Sequence, residues 1–318
     1  MEPRLGFVKL RKTFAIGGQK PFQRVEIIHF PREMFRKRGD RTRRREAAQN
    51  SVIDKSGYVH YFDFSNSKRL LAIDANLSRK NNPSMLLPRL REEVLEANLE
   101  LVRKGLVLYT FGNASGISRD QNLVVIKPSG VPYETMKPEH LIVTDLDGKI
   151  VEGSLRPSSD LPTHLVLYRA FPDIGGVAHT HSEYATSWAQ ACKPIPCFGT
   201  THADYFHAPV PVTEALTDSE IVSEYEKNTG RAIVRAFEKT SYVSVPSVLV
   251  AHHGPFAWGP NPAAAAHNAV ILEAVARMAY FTINIDPAVK PVGGGLHDKH
   301  HLRKHGTNAY YGQAKEKK

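Results

Sequence analysis

The sequence predicts an α/β protein, with helices packed around a sheet, joined to a basic N-terminal extension. Two observations predict it. From residue 89 onward, short apolar runs of strand length alternate with longer stretches of helical periodicity. Before that point the charge balance changes: residues 1–88 carry 19 Lys/Arg against 8 Asp/Glu, whereas 89–318 carry 23 against 24. The formal charge of +10 therefore belongs to the extension and not to the body. No apolar run of about 18 residues occurs, so no membrane-spanning helix is expected. Two cysteines are too few for a disulfide framework, which fits a reducing, cytoplasmic location.

The middle of the extension, residues 36–45, is a charge run without apolar periodicity, and a poorly ordered, solvated segment is the expectation. Two apolar pieces, 25–30 and 59–64, read as isolated strands too short to bury much surface. The second reading is contact with nucleic acid or another polyanion, since basic tracts attract them without sequence preference. A targeting peptide fits less well, because Glu2 is acidic and no charged-then-apolar leader pattern follows it.

The body is read element by element. Residues 89–104 put Leu90, Val94, Ala97, Leu101 and Val102 at helical spacing, with Glu92 and Glu93 in the first turn, Arg103 and Lys104 in the last, and Gly105 as a stop. Residues 123–127 and 141–144 read as strands, with a turn at Asp147-Gly148. A helix follows over 161–171 with Pro162 near its start, then a strand over 177–181 and a short helix over 183–191. Thr217-Asp218-Ser219-Glu220 is a capping-box pattern that opens a helix reaching about residue 235, with Gly230 as its weak point. Residues 248–253 form an apolar strand, and 262–283 a long helix with Val270, Ala274, Val275 and Met278 on one face. Cys192 and Cys197 read as buried thiols, since no second cysteine pair exists to complete a zinc knuckle.

Three patterns point to chemistry. His179 and His181 are two apart on a strand, so both project from one face and can share an ion. The 248–253 strand ends in His252-His253-Gly254, and three neutral imidazoles with one open position are what a catalytic zinc site uses. Ser158-Ser159-Asp160 opens a helix, where the hydroxyls either bind an anion or one residue merely caps the end. Lys127-Pro128-Ser129-Gly130 follows a strand and is either a phosphate cradle or an ordinary turn. Asp204 has no local context that gives it a function.

Several motifs then occur in order: Phe111-Gly112-Asn113, Lys127-Pro128-Ser129-Gly130, Arg156-Pro157-Ser158-Ser159-Asp160, His179-Thr180-His181, Gly199-Thr200-Thr201-His202-Ala203-Asp204, His253-Gly254-Pro255-Phe256, and Asp298-Lys299-His300 through Arg303-Lys304-His305-Gly306 to Tyr310-Tyr311-Gly312. On these, residues 89–312 resemble the class II aldolase/epimerase family, and its ribulose-phosphate epimerase branch in particular. The resemblance does not extend to residues 1–88 or to the charged tail 313–318.

The resemblance implies a three-layer α/β/α fold with a central, mainly antiparallel sheet. It implies one Zn²⁺ per subunit, held by His179, His181, His253 and Asp160, with Glu at the last position in aldolase relatives. His253 is preferred to His252 because it precedes Gly, and strand alternation would put the two on opposite faces. Gly112, Asn113, Ser129, Gly130, Ser158 and Ser159 would hold a substrate phosphate, with Lys127 nearby. Asp204 and Tyr311 would be the acid/base pair, supported by Thr200, Glu226 and His300. The implied reaction is inversion at C4 of L-ribulose 5-phosphate to D-xylulose 5-phosphate by retro-aldol cleavage and re-addition, within a homotetramer whose active sites lie at subunit boundaries. The rivals are a sugar-phosphate lyase of the same family and a non-catalytic, adducin-like binding protein.

Overall fold

The computed structural model describes residues 85–312, together with two short strands, β1 (Ser51–Ile53) and β2 (Val59–Tyr61). These two pair antiparallel, Ser51 opposite Tyr61, inside a first unit, Met1–Ser84; the second unit is Met85–Lys318. The strand expected at 25–30, the basic run 36–45 and the tail 313–318 lie outside the described residues.

The second unit begins with α1 (Pro88–Arg103), whose end Gly105 closes at φ +72°. Because the helix starts at Pro88, Glu92 and Glu93 lie beyond its first turn, a correction to the dipole reading. Its buried stripe includes a charge: Arg91 is buried and donates to the carbonyls of Leu86 (2.8 Å), Pro138 (3.1 Å) and Leu141 (2.5 Å) and to the carboxylate of Glu152 (2.5 Å). A guanidinium with a partner on each of its three nitrogens is what makes that burial tolerable.

Four strands follow, β3 (Asn113–Ser118), β4 (Leu123–Ile126), β5 (Ile142–Asp145) and β6 (Ile150–Glu152). Next come α2 (Leu161–Ala170), β7 (Gly176–His179), α3 (Glu183–Gln190), and the short α4 (Thr200–Ala203) and α5 (Asp218–Val222). Then α6 (Tyr225–Ala236), β8 (Ser247–Leu249), β9 (Pro255–Gly259), α7 (Pro262–Ile285) and α8 (Gly294–His305) complete the order. One sheet, β6-β5-β4-β3-β7-β9-β8, has antiparallel neighbours throughout.

Strand alternation explains the layers. Ala114, Ala178 and Ala257 turn toward α1 and α7 and form a thin core with Ala97, Ala265 and Ala269. The intervening residues Val177, Phe256 and Trp258 face the other side, into a larger core with Leu165 and Tyr168 of α2 and Ile233 of α6. Small side chains let α1 and α7 lie close on one face: a Cβ on Gly116 would come within 2.7 Å of Pro262 and 2.8 Å of Leu90. The middle strand β3 has no apolar run because its role is to permit that approach.

Several expected elements shift. The 177–181 strand ends at His179, and the 248–253 strand ends at Leu249. The helix opened by Thr217 breaks at Ser223-Glu224 into α5 and α6, while Gly230 sits buried inside α6. There a Cβ would meet Val166 of α2 at 2.7 Å, so Gly230 is a close-packing point and not a weak one. On α7 the buried stripe is Ala265, Ala269, Leu272, Val275, Ala276 and Ala279, and Met278 is exposed. Of the two thiols only Cys197 is buried; Cys192 is partly exposed, with Sγ 3.4 Å from His252 Nε2.

Candidate active site and metal centre

The end of β7 and the turn before β9 bring three imidazoles together. The ligand atoms of His179, His181 and His253 all lie within 4.8 Å of one another, and His179 Nε2 is 3.1 Å from His181 Nε2. Both neighbouring elements differ from the sequence expectation. His181 lies two residues past the strand yet still turns to the same side. His253 owes its direction to a turn, in which His252 takes φ +62° and His253 N–H donates to Val250 O at 3.0 Å, and not to strand alternation.

The hydrogen bonds fix which nitrogens are free. A backbone carbonyl only accepts, so His179 Nδ1, 2.9 Å from Pro255 O, carries the hydrogen and leaves Nε2 bare. The ring is held flat by stacking on Phe256 at 4.2 Å. Burial, with His179 and His181 alongside, pushes the His253 imidazole down to about 4, and burial also lowers His181. Burial thus favours the neutral form of His253 and His181, the form in which an imidazole binds a divalent metal. His253 Nδ1 lies 3.4 Å from the Tyr225 hydroxyl.

Asp160 is not in the close triad. Its carboxylate lines the same cleft as His181 and His253 and accepts from Asn113 Nδ2 at 2.6 Å. Although Asp160 stands at the N-terminus of α2, its side chain makes no capping bond there. Burial would raise its pKa, but the charges of His179 and His164, the Asn113 amide and His253 outweigh that and lower it. An ionised carboxylate facing three bare imidazoles is a donor set that suits a divalent cation.

The cleft has a volume of about 370 Å³, and its opposite wall is the anion-binding pattern. Gly112, Asn113, Lys127, Ser129, Gly130, Ser158 and Ser159 all line it. The two loops are tied together: Ser129 N–H donates to Arg156 O and Ser158 N–H to Lys127 O, both at 2.9 Å. Gly130 adopts φ +68°, and Gly112 adopts φ +91° where a Cβ would lie 2.8 Å from His179 O. Lys127 is buried, its amine 4.6 Å from the Tyr133 ring centre, and desolvation lowers its pKa to about 8. Among the described residues no carboxylate pairs with it. A larger hollow of about 480 Å³, lined by Leu87, Leu90 and Ile117 among others, gathers no comparable set of polar groups.

The remaining site candidates assemble elsewhere. Asp204, just after α4, receives Arg303 Nε at 3.0 Å, an Arg303 terminal nitrogen at 2.7 Å and His300 Nδ1 at 3.1 Å, with Lys304 Nζ at 3.8 Å. Burial would raise its pKa, but these donors hold it below the ordinary value. Tyr311 is exposed, its ring lying over the Arg303 and Lys304 cations at 5.0 and 4.3 Å. Neither Asp204, Tyr311, Thr200 nor His300 lines the cleft of its own chain, whereas Glu226 does.

The profile of the Class II Aldolase and Adducin N-terminal domain matches residues 92–280. The chain belongs to that family. The chain is 53% identical over 227 residues to L-ribulose-5-phosphate 4-epimerase UlaF of Salmonella paratyphi B, covering 71% of this chain and all of that protein. It is 52% identical over the same length to the protein of that name from Salmonella typhi. Among solved structures it resembles an L-fuculose 1-phosphate aldolase, with TM-score 0.60 and 26% identity over 70% of this chain and 99% of that one. YgbL from Klebsiella pneumoniae, at 22% identity and TM-score 0.56, shares the fold.

Within this class II aldolase frame, some neighbours of the site escaped the sequence reading. Tyr225 touches His253 and lines the cleft, but nothing marks it in sequence except its position beside Glu226. Phe256 braces His179 from the strand that follows the His253 turn. Arg303 and Lys304 stood in a matching motif, and their spacing from His300 on one helix could have suggested a shared partner.

Proposed function

We propose that this chain is an isomerase that epimerises L-ribulose 5-phosphate at C4 to give D-xylulose 5-phosphate. The observation that carries the reading is 53% identity across the whole length of a relative bearing that activity in its name. The cleft supports it, because an imidazole triad faces a wall with a buried amine that has no carboxylate partner among the described residues. Residues 89–312 would form the catalytic domain, with 1–88 and 313–318 outside it.

Inversion at C4 cannot proceed by simple enolisation, since the C4 hydrogen is not adjacent to the carbonyl. Breaking and re-forming the C3–C4 bond, with the aldehyde fragment turned over in between, solves this. A Zn²⁺ ion bound by His179, His181, His253 and Asp160 would supply Lewis acidity toward the oxygens on which negative charge develops. Asn113 orients Asp160 through its 2.6 Å bond. Lys127, Ser129, Ser158 and Ser159 hold the phosphate, and Gly112 and Gly130 let the backbone come close to it. A fixed phosphate retains the aldehyde fragment, which separates an epimerase from a lyase. Asp204 and Tyr311 we assign to acid/base work on the two faces of that aldehyde, in the cleft of a neighbouring copy within a cytoplasmic homotetramer. Thr200, Glu226 and His300 support them.

Purified protein given L-ribulose 5-phosphate is expected to form D-xylulose 5-phosphate. Accumulation of free glycolaldehyde phosphate instead would make it a lyase. Asp204→Asn should keep its zinc and lose roughly 10²–10⁴ in turnover; normal turnover would move the acid/base role to another residue.

A further inference from the structure

The face of α8 that carries His297, His301 and His305 has no role in the reading above. The three are spaced i, i+4 and i+8, so they form one continuous stripe. That stripe meets the segment just after α4, where the last turn of a helix leaves carbonyls without intrahelical partners. His305 Nε2 lies 2.9 Å from the carbonyl oxygen of Asp204, and His297 Nε2 lies 2.8 Å from that of Phe206. From α4 itself, His202 Nε2 lies 2.9 Å from Ala208 O. Carbonyls only accept, so each of these imidazoles donates from Nε2. His301 fills the middle of the stripe, stacked on His207 at 4.1 Å and on His305 at 4.6 Å. His207 is itself held at 2.8 Å by Asp298 of α8.

The same helix grips the Asp204 side chain through His300 and Arg303, which lie on the flanking positions. One helix thus holds both the backbone and the carboxylate of a single residue. A carboxylate bonded only through its side chain would still swing with its loop. Donors on the carbonyls of Asp204 and Phe206 remove that freedom.

We propose that His305 and His297 are positioning residues that fix the backbone of the Asp204–Phe206 segment through Nε2–H bonds donated to the carbonyls of Asp204 and Phe206 respectively. The catalytic half of this inference rests on the assignment of Asp204 as an acid/base group; the structural half does not. His305 is the better probe because it is exposed and its replacement opens no buried cavity. His305→Leu removes the donor, and His305→Gln replaces it with an amide N–H of similar reach.

Two readouts are taken on the zinc-loaded full chain: hydrogen exchange at the amides of 204–206, and steady-state kinetics with L-ribulose 5-phosphate. His305→Leu is expected to exchange at least tenfold faster at those amides and to lose about tenfold in kcat with KM within twofold. His305→Gln is expected to restore both to within threefold of the parent, and zinc content should be equal in all three proteins. Parent-like exchange in His305→Leu would overturn the positioning role. So would equal defects in the Leu and Gln variants, because shape and not the donated hydrogen would then matter. Faster exchange with unchanged kcat would uphold the grip on the backbone and overturn the catalytic assignment of Asp204.

Discussion

The imidazole cleft and the Asp204 region are built on opposite principles. In the cleft, polar groups are desolvated and only partly satisfied: among the described residues Lys127 has no carboxylate partner, its amine donating only to Pro128 O at 3.2 Å, and the buried Asn113 Oδ1 has no hydrogen-bond partner. Around the Asp204 carboxylate the donors are in place, with four nitrogens from three side chains on it and an imidazole on its own carbonyl, although His202 Nδ1 and His301 Nδ1 nearby have no partner among the described residues. Unpaired buried groups cost free energy, so a fold keeps them where a ligand will complete them. Saturated groups instead hold a position. The cleft is therefore the part made to receive something, and α8 the part made to present something.

The sharpest test of the cleft is His179→Ala. It removes the imidazole of the triad whose tautomer and ring plane are fixed by Pro255 and Phe256. Bound zinc, measured by elemental analysis, is expected to fall well below one per chain. Activity should fall by roughly 10³ or more, the several kcal/mol that a Lewis acid contributes. Full activity in a metal-free sample would show that the triad is not a metal centre.

The second region answers to acid. His202 is buried beside His297, and burial lowers its pKa to about 4 from 6.5. The folded state thus favours the neutral ring. Its contribution is complete above pH 6.5 and is lost as pH falls from there toward 4, on the order of 3 kcal/mol. Denaturant unfolding of the metal-free protein at pH 7.5 and 4.5 should show that loss. In His202→Gln, which keeps a donor for Ala208 but does not titrate, the difference between the two pH values should shrink. An equal difference in both proteins would remove His202 from the acid response.

What was legible in the sequence follows the same division. Helices and strands with an apolar period were readable because burial on one face imposes it, as in α1. The strand β3 was not, since Asn113, Ser115 and Gly116 answer to Asp160, to His164 of α2 and to the crowding of α1 respectively. The His179/His181 pair was readable from period two, whereas the direction of His253 depends on a left-handed turn at His252 that no periodicity reports. Gathering Asp204 with α8 needed tertiary structure, because the partners are almost a hundred residues apart.

A smaller effect separates binding from stability in the cleft. Lys127→Met replaces a desolvated amine with an apolar chain of similar length. Losing a charge-assisted bond to phosphate should weaken substrate binding by roughly 10–100-fold, about 1.5–3 kcal/mol. The thermal midpoint without ligand should not fall, since no protein ion pair is broken. A lower midpoint with unchanged KM would make Lys127 a structural residue.

The smallest effect concerns how the cleft's walls meet. α2 delivers Asp160 and α6 delivers Tyr225 and Glu226, and the two helices touch at Gly230. Alanine there would raise helix propensity by about 1 kcal/mol. Against that, its Cβ would sit 2.7 Å from Val166 Cβ and 3.2 Å from Thr163 O, so the helices must part. Both obstacles are stiff, one a branched side chain and the other backbone, and overpacking of this kind costs about 1–3 kcal/mol. Gly230→Ala is therefore expected to lower unfolding stability by about 1 kcal/mol net and to loosen substrate binding more than zinc binding. The reason is that the three imidazoles sit at the end of β7 and in the turn before β9, and meet α6 only through the 3.4 Å contact of Tyr225 with His253. A stabilised variant would mean that propensity outweighs packing, and that the α2–α6 contact is looser than these distances require.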